Sequence, residues 1–170
     1  MKEIKTLIDE KLIQARVKEI AREIENKYKD EDIILVCILK GSVMFFTELA
    51  KNIRNNVQLE FIEVSSYSGT ESTGKIVLKK DIGQNIEGKN VIIVEDIVDT
   101  GRTLKYLKEL LEQRKPKKLE TATLLNKQAR RIVEVDVEYI GFEIEDKFVL
   151  GYGLDYDQNY RNLPYVGYIE

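Results

Sequence analysis

Val91-Ile92-Ile93-Val94 is a β-branched apolar run that passes straight into Glu95-Asp96-Ile97-Val98-Asp99-Thr100-Gly101-Arg102-Thr103, after which helical spacing resumes at Leu104, Leu107, Leu110 and Leu111. The run is too short for a buried helix and its residues favour extended backbone, so it reads as a central strand covered on both faces. Strand, polar turn and helix in that order form the repeating unit of a parallel α/β sheet. The turn therefore sits at the carboxyl end of a strand and at a helix N-terminus, where unpaired N–H groups and the macrodipole favour an anion.

The same alternation runs along most of the chain. Residues 4–8 read as a short edge strand. Asp9 can cap a helix whose stripe Ile13, Val17, Ile20, Ile24 and Tyr28 repeats at three and four residues. Residues 33–39 read as a fully buried strand, followed by Lys40-Gly41-Ser42 and a helix to about Ile53. Residues 59–64, 90–94 and 119–125 supply further strands. From Val137 onward the chain changes to short Tyr- and Gly-rich pieces, which predict a small cap over the sheet's carboxyl edge. Lys115-Pro116-Lys117-Lys118 reads as a solvated basic turn. The expected fold is α/β, a parallel twisted sheet flanked by helices, in one domain over residues 1–170. Its core spans about 10–135, and its hood comes from about 1–9 and 137–170.

Composition narrows the chemistry. With 170 residues and 43% hydrophobic content the chain can bury one main core. It contains no histidine, which excludes Ser-His-Asp, Cys-His and His-zinc sites and leaves proton transfer to Asp, Glu, Lys or Tyr. The single Cys37 lies inside an apolar run and reads as a small buried hydrophobe. With structural zinc disfavoured, hard oxygen ligands point to magnesium (Mg²⁺). A net charge of −3 gives no general attraction to nucleic acid, so an anionic substrate needs local donors and metal. No apolar run approaches the roughly 20 residues of a membrane span, and Met1-Lys2-Glu3 begins no signal-peptide segment, so a soluble cytoplasmic protein is expected.

The turn after residue 94 contains two kinds of residue that want different partners. Thr100, Gly101, Arg102 and Thr103 offer amides, hydroxyls and a cation suited to a phosphate monoester, with Gly101 permitting close backbone approach. Glu95 and Asp96 repel phosphate but accept hydrogen bonds from hydroxyls. A ribose 5-phosphate satisfies both sets. The simpler alternative is a capped helix with Asp99 or Thr100 as the cap.

This segment closely resembles the signature of the type I phosphoribosyltransferases, a hydrophobic strand leading into two acids and then Asp-Thr-Gly-Arg/Lys-Thr. No Gly-x-x-x-x-Gly-Lys-Ser/Thr is present. The resemblance extends to the bacterial hypoxanthine(-guanine) phosphoribosyltransferases through Leu39-Lys40-Gly41, Ser65-Ser66-Tyr67, Ser72-Thr73-Gly74, Lys127, Gly141-Phe142-Glu143-Ile144, Lys147-Phe148-Val149, Gly151-Tyr152-Gly153-Leu154-Asp155-Tyr156 and Tyr160-Arg161-Asn162-Leu163-Pro164.

What the resemblance implies is specific. The reaction joins phosphoribosyl pyrophosphate to hypoxanthine or guanine, giving IMP or GMP and pyrophosphate, with Mg²⁺ as cofactor. Asp99 is the general acid/base for the purine N7 proton. Glu95 and Asp96 engage the ribose hydroxyls directly or through metal, and Asp155 binds metal on the pyrophosphate side. Thr100, Gly101, Arg102 and Thr103 hold the 5-phosphate. Lys40, Gly41 and Arg161 bind pyrophosphate, and the Leu39-Lys40 peptide can be cis. The purine lies between Phe148 and Ile97, its 6-oxo edge read by Lys127 and its pyrimidine edge by the Val149 backbone. Ser66 and Tyr67 lead a mobile loop, reaching to about residue 80, that closes over the reacting centre and excludes water; the simpler alternative for this segment is an ordinary hairpin. A homodimer or homotetramer is expected, without nucleic-acid or membrane partners. Gln128, Asp136 and Glu145 stand where related sequences often carry proline, which leaves the unfolded chain less restricted. Two competing readings are a phosphoribosyltransferase-fold regulator that binds RNA or DNA, and a phosphate-accepting receiver-like domain.

Overall fold

The computed structural model describes residues 3–66 and 75–170. β1 (Lys5–Ile8) leads into α1 (Glu10–Tyr28). Asp9 starts this helix, its carboxylate accepting the Leu12 amide at 2.9 Å and satisfying one of the donors that helix geometry leaves unpaired. Ile13, Val17, Ile20, Ile24 and Tyr28 are all buried, so packing of the stripe rather than intrinsic propensity holds the helix. The chain continues through β2 (Ile33–Leu39), α2 (Val43–Asn52), β3 (Val57–Ser66), β4 (Ile76–Lys80), β5 (Asn90–Val98) and α3 (Arg102–Glu112). It then forms β6 (Lys118–Asn126), β7 (Tyr139–Glu143), β8 (Phe148–Leu150) and β9 (Val166–Ile169).

Six strands form the main sheet in the order β4-β3-β2-β5-β6-β7. All neighbours are parallel except β4, which runs antiparallel to β3. On β2, Ile33, Leu35 and Cys37 pack into the core that holds α1 and α2, whereas Ile34, Val36 and Ile38 pack into the one that holds α3. β5 divides likewise, with Ile92 and Val94 on one side and Val91 and Ile93 on the other. Both faces are covered, as continuous β-branched runs require. Among the described residues no helix is long and apolar enough to cross a membrane.

Four expectations need correction. The strand read over 90–94 continues to Val98, because parallel pairing with β6 carries on through Glu95↔Thr123, Ile97↔Leu125 and Val98↔Asn126. Backbone pairing there overrides the polar side chains, so Glu95 and Asp96 stand on a strand rather than in a turn. Second, residues 76–80 of the expected loop are the edge strand β4, which explains the one antiparallel pairing, since the link from β3 is too short for a parallel crossover. Tyr67 and the rest of 67–74 lie outside the described residues.

Third, the cap does not begin at Val137. β7 extends the main sheet through Ala122↔Tyr139 and Asn126↔Glu143. The hood is a separate antiparallel sheet of order β1-β9-β8, built from both ends of the chain. Fourth, neither Asp99 nor Thr100 caps α3. Gly101 occupies that position in the left-handed region at φ 87° and has no side chain to supply a capping bond, while the Thr100 hydroxyl reaches only the Arg102 amide, at 3.4 Å.

Candidate active site

From β2 the chain crosses through α2 to β3 on one side of the sheet, and from β5 it crosses through α3 to β6 on the other. The direction of winding thus reverses between β2 and β5, and such a switch point leaves a crevice beyond the strands' carboxyl ends. A cleft of about 280 Å³ lies there. It brings together Gly41 and Ser66 from the ends of neighbouring strands, Glu95, Asp96 and Ile97 from β5, and Asp99, Thr100, Gly101 and Thr103 from the turn into α3. Lys40, Arg102, Lys127, Phe148, Val149, Asp155 and Arg161 stand outside its lining.

The turn into α3 faces the cleft through Thr100, Gly101 and Thr103. Gly101 has no side chain to cap α3, so beyond the Arg102 amide the first-turn amides that helix geometry leaves unpaired have no capping partner and suit an anion. The Thr100 hydroxyl accepts only a long bond, 3.4 Å, from the Arg102 amide. Arg102 is exposed at the first helical position, beside the partly buried Thr103.

Beneath the turn lie the two acids. Glu95 is buried and accepts from the Ser42 hydroxyl at 3.3 Å and the Asp96 amide at 3.0 Å, while Asp96 accepts the Ile97 amide at 2.6 Å. Burial, followed by the charge of Asp96, raises the Glu95 carboxyl well above its ordinary range. Burial raises Asp96 too, opposed by hydrogen bonds with Glu95 and the Ile97 amide and by the positive charge of Arg161. Two adjacent carboxylates in this setting hold a proton or call for a cation. Burial, aided by the same acids, pushes the Cys37 thiol up to about 12, so it stays protonated and serves as core.

Glycines let three segments stack on these acids. A Cβ at Gly41 would lie 1.8 Å from Asp96 Oδ2, and one at Gly153, where φ is +98°, would lie 2.0 Å from the Gly41 carbonyl oxygen. The hood loop thus rests on the loop after β2, which rests on Asp96. The Leu39-Lys40 peptide is cis, with the Lys40 side chain exposed. Arg161 joins this stack by donating to the Gly153 carbonyl at 2.8 Å, and it pairs with Asp155 at 3.4 Å.

A second cluster lies where β6 meets the hood. Lys127, only 5% exposed, donates its ammonium to the Lys147 carbonyl at 2.8 Å, with Asp146 at 3.7 Å. Its amide bonds the Val98 carbonyl at 3.0 Å, which ties this cluster to the end of β5. Phe148 is half-exposed and meets Tyr156 edge-on, with ring centroids 5.5 Å apart, while Val149 is buried. Ser42, Gly153 and Tyr156 were given no role from the sequence. Each lies within a segment quoted there, but their contacts cross the fold and leave no local signal.

The phosphoribosyl transferase domain model matches residues 3–157. The chain belongs to the phosphoribosyltransferase family. This phosphoribosyltransferase is 51% identical over 162 residues to hypoxanthine-guanine phosphoribosyltransferase of Staphylococcus epidermidis, covering 95% of this chain and 90% of the relative. It is 42% identical over 167 residues to the enzyme of that name from Streptococcus thermophilus, covering 98% and 93%. A solved hypoxanthine-guanine phosphoribosyltransferase from Bacillus anthracis matches its fold with a TM-score of 0.94 and 49% identity, covering 99% of this chain and 100% of that one.

The stacked loops of this phosphoribosyltransferase make a direct prediction. Gly41→Ala places a methyl where Asp96 Oδ2 already lies, and overpacking of that kind costs about 1–3 kcal/mol. Gly83→Ala, whose nearest atom would be Glu60 Oε1 at 3.8 Å, serves as the control. Denaturant titration is expected to show a lower midpoint for Gly41→Ala alone; equal midpoints would mean that the stack is not tight.

Proposed function

We propose that this phosphoribosyltransferase serves purine salvage, transferring the 5-phosphoribosyl group from phosphoribosyl pyrophosphate to N9 of hypoxanthine and guanine to give IMP or GMP and pyrophosphate. One observation carries this reading. Paired acids and an uncapped helix N-terminus share a single cleft at the switch point, matching a substrate with hydroxyls beside a phosphate. The hypoxanthine-guanine relatives supply the base.

In this reading Thr100, Gly101, Arg102 and Thr103 hold the 5-phosphate, and Glu95 and Asp96 orient the ribose hydroxyls. Lys40, Gly41 and Arg161 receive the pyrophosphate. The N9 lone pair attacks the anomeric carbon as the bond to the pyrophosphate oxygen breaks, and Asp99 takes the N7 proton. Positioning and stabilisation of the leaving group's charge account for most of the rate. Ser66 and Tyr67 lead the closing loop. Among the described residues no cluster of three or more His, Cys, Asp or Glu forms a ready-made cage. The buried pair Glu95 and Asp96 still suits an ion that binds one or two carboxylates and keeps water and substrate oxygens, as Mg²⁺ does. Glu95 and Asp96 on the ribose side, and Asp155 on the pyrophosphate side, would hold magnesium, which would supply charge neutralisation to the pyrophosphate. We take the enzyme to act in the cytoplasm as a homodimer or homotetramer.

Base selection rests on Lys127, with Phe148 and Ile97 on the purine faces and the Val149 backbone at its pyrimidine edge. An ammonium donates to the 6-oxo group of hypoxanthine or guanine. Adenine presents an amino donor there, which faces the ammonium donor to donor and forms no hydrogen bond, and rejection of this kind reaches about 10⁴-fold in kcat/KM. Pyrophosphate release from phosphoribosyl pyrophosphate, measured with each base under matched conditions, tests this. Hypoxanthine and guanine should react and adenine hardly at all; adenine reacting as fast as hypoxanthine would remove Lys127 from base recognition.

A further inference from the structure

Asp99 Oδ1 is buried and has no hydrogen-bond partner among the described residues, and its nearest cation, Arg130 Nε, stands at 3.6 Å. With that oxygen unbonded, the main chain of the turn must set where the carboxylate points. One segment grips this main chain from behind. Arg131 Nε donates to the Asp99 carbonyl at 3.2 Å. The Ile132 and Val133 amides both donate to the Thr100 carbonyl, at 2.9 and 3.2 Å. Gly101 lies so close that a Cβ there would sit 2.8 Å from the Val133 carbonyl oxygen and 3.0 Å from Arg131 Cδ. Three consecutive residues of the turn are therefore held by residues 131–133.

The guanidinium is itself anchored. Its Nη2 donates to Asn126 Oδ1, and the Asn126 amide donates to both Glu143 carboxylate oxygens, at 3.1 and 2.9 Å. Asn126 ends β6 and Glu143 ends β7, paired across the sheet. Arg131 thus spans from the rigid edge of two strands to the backbone of the turn, using the fixed fork of its donors.

We propose that Arg131 is a positioning residue for Asp99, holding the proton-accepting carboxylate in register through the relay Glu143–Asn126–Arg131–Asp99 carbonyl. This rests on the reading of Asp99 as the acid/base. Loss of the fork should harm the chemical step more than binding, because displacement by about 1 Å at a reacting group costs on the order of 10²-fold in rate.

The test compares Arg131→Gln, Arg131→Lys, Asn126→Ala and the double variant Arg131→Gln/Asn126→Ala with Asp99→Asn, by steady-state kinetics and product titration. Arg131→Gln is expected to lower kcat about 10²-fold with KM values changed by no more than about threefold. Arg131→Lys should recover little, since one ammonium cannot bridge the Asp99 carbonyl and Asn126 together. Added guanidinium at millimolar concentration should restore part of the turnover of Arg131→Gln. Asn126→Ala retains the arginine and loses only its anchor, so it should give a smaller fall in kcat, non-additive with Arg131→Gln. It carries the test alone if the arginine variants do not fold. Normal kcat in Arg131→Gln or Asn126→Ala, while Asp99→Asn loses turnover, overturns the positioning role and leaves the reading of Asp99 intact. Parallel loss of kcat, KM and thermal stability without guanidinium rescue also overturns it, as that is the signature of a general structural role. Normal turnover in Asp99→Asn removes the acid/base reading and the proposal with it.

Discussion

Asp99→Asn is expected to turn over about 10²–10⁴-fold more slowly than the parent enzyme while binding nucleotide product almost as well. The substitution keeps size and one oxygen but removes the basic carboxylate. The structure makes it a clean probe, because Asp99 gives α3 no capping bond, the N-cap position being Gly101, and its Oδ1 makes no hydrogen bond among the described residues. Loss of turnover therefore cannot be traced to an unravelled helix. Thr103→Val supplies the contrast. It removes a hydroxyl from the lining of the cleft, where the 5-phosphate is proposed to bind, and should chiefly weaken substrate and product binding, with a smaller change in kcat. Steady-state kinetics and product titration on both variants separate the two roles. Near-normal turnover in Asp99→Asn, or the same profile in both variants, would sink the division of labour within the turn.

Chelation of divalent cations is expected to abolish turnover, and added Mg²⁺ or Mn²⁺ to restore it. The protein carries a net charge of −3, and the floor of its cleft is formed by two acids in contact. Two like charges 4 Å apart repel by about 4 kcal/mol at an effective dielectric of 20. A pyrophosphate with several charges brought beside Glu95 and Asp96 meets more than one such pair. Arg161, tied to Asp155 and the Gly153 carbonyl, and the exposed Lys40 are too few positive charges to offset them. A divalent ion on the hard oxygen donors changes the sign of that balance. Activity measured in excess chelator, then after metal addition, decides the matter, and full activity in chelator would eliminate a metal requirement.

Much of the fold was legible because it follows from local rules. The stripe from Ile13 to Tyr28 and the cap at Asp9 specify α1. The β-branched runs at 33–39 and 91–94 specify strands covered on both faces, and the spacing of Leu104, Leu107 and Leu111 specifies the helix that follows the turn. Local rules also misled where pairing between strands outweighed them. Polar Glu95 and Asp96 read as turn, yet parallel pairing with β6 keeps them extended to Val98. Residues 76–80 read as part of a loop, yet they add an edge strand to β3.

By itself the sequence determined the alternating α/β class, the elements nearest the cleft and the residue types that line it, because 3.6- and 2-residue periods and the chemistry of a strand–turn–helix junction are properties of neighbours along the chain. Only the tertiary structure decided what lies beside what. Residues 41, 96 and 153 stack because strand order places β2 beside β5 and the hood above both. Arg131 reaches Asp99 because β6 pairs with β5, and Lys127 reaches the Lys147 carbonyl because β8 lies in a separate sheet over the same edge. Strand order and hood placement depend on summed burial and pairing over the whole chain, which no local period encodes.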